Sequence, residues 1–411
     1  MMTLIKYESI KLLRKKSTLI ALSVSLLITT SLFGLPILQY QAYNQDGVIL
    51  GLKGIAYEKE RQSQFSVVLT DEYITSTICE YQKLFENPDN VGYDGNDKFL
   101  IGDAYWNFVA PRERLLRLIA ANYSEPGVYS GLSKLLDLDM ELGIDIYKRR
   151  SEKIETLLNT PSLKLSEKQK NYWLKMSNRV KTPFQYGFFE GWEIIISCFD
   201  LLIIVILSVC FAIAPVFCGE YQAGTDALIL SGKYGKTKVI TAKIASSFIF
   251  GILSFTLHIL LAYGLPLAAF GTDGWNLPVQ IANTAIPYPF TFFKTVIINT
   301  TIIYLVLIAM ISLTLLLSAK MKSTYLVLMV LVAVLIIPLF LSPNGTTGVY
   351  NLILFLLPYR SIMPELSNYI SCQFGNLVLD IHTVRSVLYP ALTVIILPIA
   401  GFGFKKHQVS A

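Results

Sequence analysis

Glu220-Tyr221-Gln222-Ala223-Gly224-Thr225, then Ser231-Gly232-Lys233-Tyr234-Gly235-Lys236, then Lys243, make a polar, lysine-bearing segment between two apolar runs at 194–217 and 244–269. Each run exceeds the ~20 residues a helix needs to cross a roughly 30 Å hydrocarbon core. A short polar segment between two such runs is a loop joining two membrane-crossing helices. That places the whole chain in the membrane class.

The rest of the chain agrees. Its 411 residues are 53% hydrophobic and 16% charged, against about 25% charged in a soluble domain. The mean hydropathy is +0.51. The charge deficit is uneven: 41–190 has ordinary polarity, while most of 194–404 comes in apolar runs. Runs at 17–39, 194–217, 244–269, 293–317, 324–341 and 386–404 predict six spans. The expected fold is an all-α polytopic membrane protein with six transmembrane helices and a large, mainly helical domain between helices 1 and 2. Its parts are an amphipathic helix at 1–16, a first span at 17–40, the inserted domain at 41–193 and a membrane core at 194–411. The core holds the loop 218–243 and an outer re-entrant loop at 342–385, where apolar Val349 to Leu357 is too short to span and ends at Pro358.

Lys and Arg in short loops set orientation. Lys6, Lys11, Arg14, Lys15 and Lys16 precede the first span, and Lys233, Lys236, Lys238 and Lys243 follow the second. Lys320 and Lys322 follow the fourth, and Lys405 and Lys406 end the chain's apolar part. The 270–292 loop has none, and 342–385 has only Arg360 and Arg385. Both termini are expected in the cytosol and 41–193 outside, in a multi-pass cell-membrane protein. An uncleaved first span fits better than a signal peptide, because its apolar run is long and no A-x-A-like site follows.

The net charge of +6 does not mark a nucleic-acid binder: residues 41–190 carry 19 basic and 21 acidic side chains, so the excess lies in the inner loops. Membrane lipid is the expected anionic contact. The five cysteines lack metal spacing, and Cys79 and Cys372, both expected outside, are free thiols or a disulfide. In 41–190, stretches 71–86, 111–122, 130–158 and 165–180 carry apolar residues at helical spacing. Phe184, Tyr186, Phe188, Phe189 and Trp192 are expected to anchor the second span at the membrane interface.

No catalytic or metal site emerges. Gly235-Lys236-Thr237 matches the end of a phosphate-binding loop, but Leu230 stands where the first Gly is required. His258, His382 and His407 form no zinc motif, and no Gly-x-Ser-x-Gly is present. Asp200 and His258 fall inside spans, about 9 and 16 Å below their outer ends, and are the intramembrane polar candidates. The two meet only if their helices are offset; otherwise Asp200 reaches a wet cavity or interface and His258 is a neutral packing residue.

An apolar span, Glu220, Gly224-Thr225, apolar Ala227-Leu228-Ile229-Leu230, a Ser-Gly turn, basic residues and Lys243 opening the next span resemble the ABC-2 family of ATP-binding-cassette permeases. That family's usual Pro in the turn is absent, with Ser231-Gly232-Lys233 in its place. The resemblance implies that the loop holds a coupling helix docking on a separate ATPase subunit, through Glu220, Tyr221, Gly224, Thr225, Asp226, Lys233 and Lys236. It implies no enzyme activity and no cofactor in this chain, with ATP and Mg bound by the ATPase partner. It also implies a second permease chain, identical or related, and an exported peptide antibiotic, drug or similar amphipathic substrate. Two other classes remain open: an ion-coupled secondary transporter using Asp200 and His258, and a membrane-anchored sensor or assembly protein acting through 41–193.

Overall fold

The computed structural model describes residues 1–95, 97–125, 131–140 and 144–406; His407 lies outside them. The chain is mostly helical, and five helices are long and apolar enough to cross a membrane. In hydrocarbon a helix satisfies every interior backbone N–H and C=O within itself, which is why these apolar runs fold this way. In chain order the helices are α1 (Met2–Leu13), α2 (Lys16–Leu38), α3 (Gly51–Ser63), α4 (Asp71–Lys83), α5 (Ala110–Asn122), α6 (Ile146–Leu158), α7 (Glu167–Ser177) and α8 (Glu190–Ser197). Then come α9 (Phe199–Gln222), α10 (Asp226–Ser231), α11 (Gly235–Phe270), α12 (Phe292–Lys320), α13 (Thr324–Phe340), α14 (Val349–Leu356), α15 (Pro358–Ser361) and α16 (Ile381–Lys405). The five long apolar helices are α2, α9, α11, α12 and α16.

The run expected as a fifth span, 324–341, is shorter than the others. It holds 13 residues of α-helix and four of a tighter 3-10 turn at Pro338, about 25 Å in all. It starts where Thr324 donates to Gln222 at the end of α9, and finishes where Leu341 accepts from Arg360. The expected run 194–217 is displaced: Glu190–Ser197 forms a separate helix, and the long helix begins at Phe199. The polar loop 218–243 shrinks to 223–234, because α9 runs on to Gln222 and α11 begins at Gly235.

The 41–193 domain is helical, with three short antiparallel strand pairs that apolar spacing did not reveal. These are β1 (Gln41–Asn44) with β2 (Gly47–Leu50), β3 (Val67–Leu69) with β6 (Phe184–Tyr186), and β4 (Val91–Asp94) with β5 (Asp97–Leu100). The expected helix over 130–158 is not continuous among the described residues: Leu132–Asp137 is a short 3-10 helix, and α6 starts at Ile146, where Asp145 caps it. A fourth pair, β7 (Ser371–Phe374) with β8 (Leu377–Asp380), leads into α16.

One apolar core runs unbroken from Ile74, Ile119 and Trp173 in the 41–193 domain, through Phe189 and Phe199, to Phe217 and Phe404. α12 packs along α16, and α11 crosses α12 and α9 at Gly251. A Cβ there would meet the tip of the Ile311 side chain at 2.5 Å and Val209 at 3.1 Å, so glycine lets the helices cross closely without moving Ile311. The aromatics expected at a lipid interface are instead inside protein: Phe184 and Tyr186 pair with β3, and Phe189 stacks on Phe292 at 4.7 Å. All five cysteines are free thiols.

Candidate functional site

The site grows from the way α9 ends. Its regular turns are interrupted at Ala214, before Pro215, which has no N–H to donate, and Ser318 of α12 bonds the backbone on either side of the break. The Ser318 hydroxyl accepts from the Phe217 and Cys218 N–H groups, each at 3.0 Å, and donates to the Ala214 carbonyl at 2.6 Å. One turn later the helix stops. Gly224 adopts φ +63°, its N–H bonds to the Tyr221 carbonyl, and the Thr225 N–H reaches back to the Glu220 carbonyl at 3.0 Å. These two bonds form a Schellman cap, whose left-handed position favours glycine. Glycine and threonine at 224–225 therefore have a local reason: they terminate α9 and turn the chain into α10.

That cap leaves Glu220 facing inward, 6% exposed. A carboxylate so placed must be paired. Its Oε1 accepts from Lys243 Nζ at 2.7 Å and from Lys11 Nζ at 2.6 Å. Its Oε2 accepts from the Thr225 hydroxyl. Lys243, 1% exposed at the start of α11, also reaches Glu8 Oε2 at 3.1 Å. Two carboxylates and two ammoniums from α1, α9 and α11 thus close a neutral quartet. Burial, the largest influence on Lys11, works to lower its pKa. The hydrogen bond and charge of Glu220, with Glu8 behind it, outweigh this and hold Lys11 above its ordinary value.

The other flank of the α9 end is tied to the remaining helices. Tyr221 donates to the Ala319 carbonyl at 3.0 Å and stacks on Phe404. The ends of α1, α9, α11, α12, α13 and α16 therefore gather at one basic end. Beyond them, α10 turns outward: Asp226 and Leu230 are buried, while Leu228 is 75% exposed. Ser231 to Tyr234 and Lys236 are exposed, and Lys238 lies 4.3 Å over the Tyr234 ring. Gly235 packs so tightly under α10 that a Cβ would overlap the Ile229 carbonyl. The Gly235-Lys236-Thr237 resemblance to a phosphate loop thus reduces to the first turn of α11, with its glycine used for packing.

The seven loop residues singled out from sequence divide in two. Glu220, Tyr221 and Asp226 point into the protein, and Thr225 is half-buried against Glu220. Gly224, Lys233 and Lys236 are exposed. Sequence reasoning missed Glu8 and the role of Lys11; their three-residue spacing on a basic amphipathic helix was the available signal.

Asp200 and His258 are not brought together. His258 is fully buried, with Nδ1 2.7 Å from the Ser254 carbonyl and Nε2 2.9 Å from Ser25 Oγ. A carbonyl only accepts, so Nδ1 carries the proton, and the Ser25 hydroxyl lies within hydrogen-bonding distance of both Nε2 and the Leu22 carbonyl. Asp200 is half-buried in the first turn of α9, and no contact joins it to His258. Among the described residues no cluster of His, Cys, Asp or Glu is arranged to hold a metal.

At the opposite end, two arginines serve as clamps. Arg385, counted in sequence as an outer-loop charge, is wholly buried. It donates to the Phe355, Met363 and Arg360 carbonyls at 2.9–3.2 Å, closing the ends of α14 and α15. Arg150 of α6 donates to the Thr284 and Ile286 carbonyls at 2.8 and 3.0 Å, fastening the 41–193 domain to the α11–α12 connection. Trp173 of α7 donates to Ser371 at 3.2 Å and meets Tyr288 and Tyr369 edge-on. The domain is therefore held to both connections at this end.

No curated protein and no solved structure matches the chain. Residues 167–409, from α7 to the end of α16 and including Glu220 and Lys243, match DUF2705, a family described as a protein of unknown function. With more than half its length in that match, the chain belongs to the DUF2705 family.

Proposed function

We propose that this chain is the membrane subunit of an ATP-driven exporter of the ABC-2 type, with ATP hydrolysed by a separate subunit. One observation carries the proposal: the Glu220–Lys243–Lys11–Glu8 quartet joins α1 and the facing ends of α9 and α11 beneath a short, exposed helix. Force applied to α10 would reach both long helices through the Schellman cap on one side and Gly235 on the other. The quartet would carry the same force to α1. Leu228, Tyr234, Lys233 and Lys236 present the apolar and basic surface for an ATPase partner. Glu220, by contrast, acts inside the chain, as the latch that makes the three segments move together.

In this proposal α13 is the fifth of six spans, since it carries the chain from the basic end at Gln222 towards Arg360 at the other. The basic end is cytosolic by the lysine excess, and 41–193 is extracytoplasmic. The substrate is a peptide antibiotic, a drug or a similar amphipathic molecule, and a second permease chain completes the path. The ion-coupled alternative loses its motive pair, because His258 is satisfied by Ser25 and Ser254.

The test is co-purification of the full-length chain from its native membranes. An ATP-binding-cassette ATPase is expected in the complex, and Leu228→Asp is expected to release it while the melting temperature of the permease stays unchanged. A complex without such an ATPase, or one that Leu228→Asp leaves whole, sinks the assignment.

A further inference from the structure

Beside the quartet, α2, α9 and α13 enclose a groove of about 890 Å³ that opens sideways along the helices. Its volume lies within the roughly 300–1,000 Å³ of small-molecule sites. Its walls are apolar, with Val24 and Ile28 on α2, Phe211 on α9 and Leu328 on α13. Its mouth at the basic end is formed by Lys15 and Lys16. No Asp or Glu lines it, and neither lysine has a carboxylate within ion-pairing distance among the described residues. From Lys15 to Ile28 the groove runs about 20 Å, deeper than one leaflet of a roughly 30 Å core.

The charges at the mouth do not balance. Lys11 and Lys243 are matched by Glu220 and Glu8, which leaves Lys15, half-buried next to Gly219, as a fifth and uncompensated charge. Burial and the neighbouring ammoniums of Lys11 and Lys243 lower the Lys15 pKa, against the pull of Glu220. An anion at the mouth would relieve that repulsion. Lys16 stands next to it, and the positive end of α2, which has no side-chain cap, adds to the same field.

We propose that this groove binds one anionic phospholipid of the inner leaflet, its phosphate between Lys15 and Lys16 and one acyl chain along α2. The inference is independent of the ATPase assignment. Charge selects the lipid over a second copy of the chain. A two-fold axis along the membrane normal keeps every residue at its own depth, so two copies meeting here would set Lys15 and Lys16 against the same lysines. A basic pocket between helices on the cytosolic side is suited to an anionic headgroup.

The experiment is native mass spectrometry of the full-length chain released from micelles of equimolar phosphatidylglycerol and phosphatidylcholine. One phosphatidylglycerol is expected to be retained over phosphatidylcholine by roughly thirtyfold, the scale set by two lysines at a membrane surface. Lys15→Gln with Lys16→Gln should abolish the preference, and Val24→Trp should displace the lipid with both lysines intact. Circular dichroism of each variant confirms folding; if neither folds, the wild-type competition alone decides. Equal retention of the two lipids by the wild type overturns the proposal. So does an unchanged preference in the folded double lysine variant, or a lipid-free dimer that Val24→Trp splits.

Discussion

Both ends of the membrane core carry ion pairs, Lys59–Asp273 and Arg114 with Glu190 and Glu193 at the 41–193 end included. Among the described residues, only that end adds guanidinium clamps on backbone carbonyls. At the basic end, four charged side chains pair with one another, and Lys11 keeps 41% of its side chain in contact with solvent. At the other end, Arg150 and Arg385 donate to backbone carbonyls inside the protein, and among the described residues no carboxylate is in ion-pairing contact with either. Charge pairs near water exchange partners readily and are screened by salt. Of the carbonyls around the two guanidiniums, Ile286, Phe355 and Arg360 also accept from Gln280, Ser361 and the Met363 N–H. Those of Thr284 and Met363 depend on the arginine and lose their partner with it. The difference leaves the Lys11 edge of the basic end adjustable, while the buried Lys243–Glu220 pair and the two arginine clamps are fixed. In the proposed exporter, α10 would be moved while the 41–193 domain stays fastened to the α11–α12 connection and to β7.

The largest effect is expected from Lys243→Met, which strands Glu220 and Glu8 beside Lys11. Breaking a buried pair costs about 3–5 kcal/mol, read as a fall in melting temperature. Adding Glu220→Gln should return part of the loss, and failure to do so would mean that the pairing is not what Lys243 provides. Arg150→Met should cost about 1–3 kcal/mol, from the orphaned Thr284 carbonyl, since Ile286 keeps Gln280 as a donor. It should also raise hydrogen exchange around 279–292 without affecting α10. Equal exchange at both ends would erase the contrast. Trp173→Phe, which removes the hydrogen bond to Ser371 and leaves a cavity among Tyr288 and Tyr369, is expected to cost about 2 kcal/mol.

Lys11→Ala sharpens the comparison further. This half-exposed pair should be worth about 1 kcal/mol or less and fade with added salt, whereas the Arg150 effect should not. Lys11 has a raised pKa when folded, so its contribution is fully present below its unfolded value of about 10.5 and is lost only as pH rises through the folded value. Its effect should therefore stay flat across neutral pH and vanish in strong alkali. Leu228→Asp, on the exposed face of α10, should change stability by no more than about 0.5 kcal/mol.

Much of this layout was legible in residue order. The apolar runs 17–39, 293–317 and 386–404 lie within a few residues of α2, α12 and α16. The start of α11 was not legible, because Lys236, Lys238 and Lys243 depress local hydropathy. Lys243 becomes tolerable in a buried helix only through Glu8 and Glu220, and Glu8 is 235 residues away. The same distance hid the quartet itself. Arg385 looked like a loop charge because sequence carries no sign of the carbonyls that surround it. The short strand pairs escaped because segments of three or four residues leave too little alternation to detect.

By itself, then, the sequence determined the class of the molecule and the basic sign of one end. It also placed a glycine stop after Glu220. Each of these follows from local composition: hydrocarbon admits long apolar helices, lysine avoids it, and a left-handed turn favours glycine. Only the tertiary structure decided which polar residues face inward. Burying a charge depends on partners that arrive from other helices. Packing alone therefore turned Glu220 inward onto Lys11 and Lys243, left Leu228 exposed and separated His258 from Asp200.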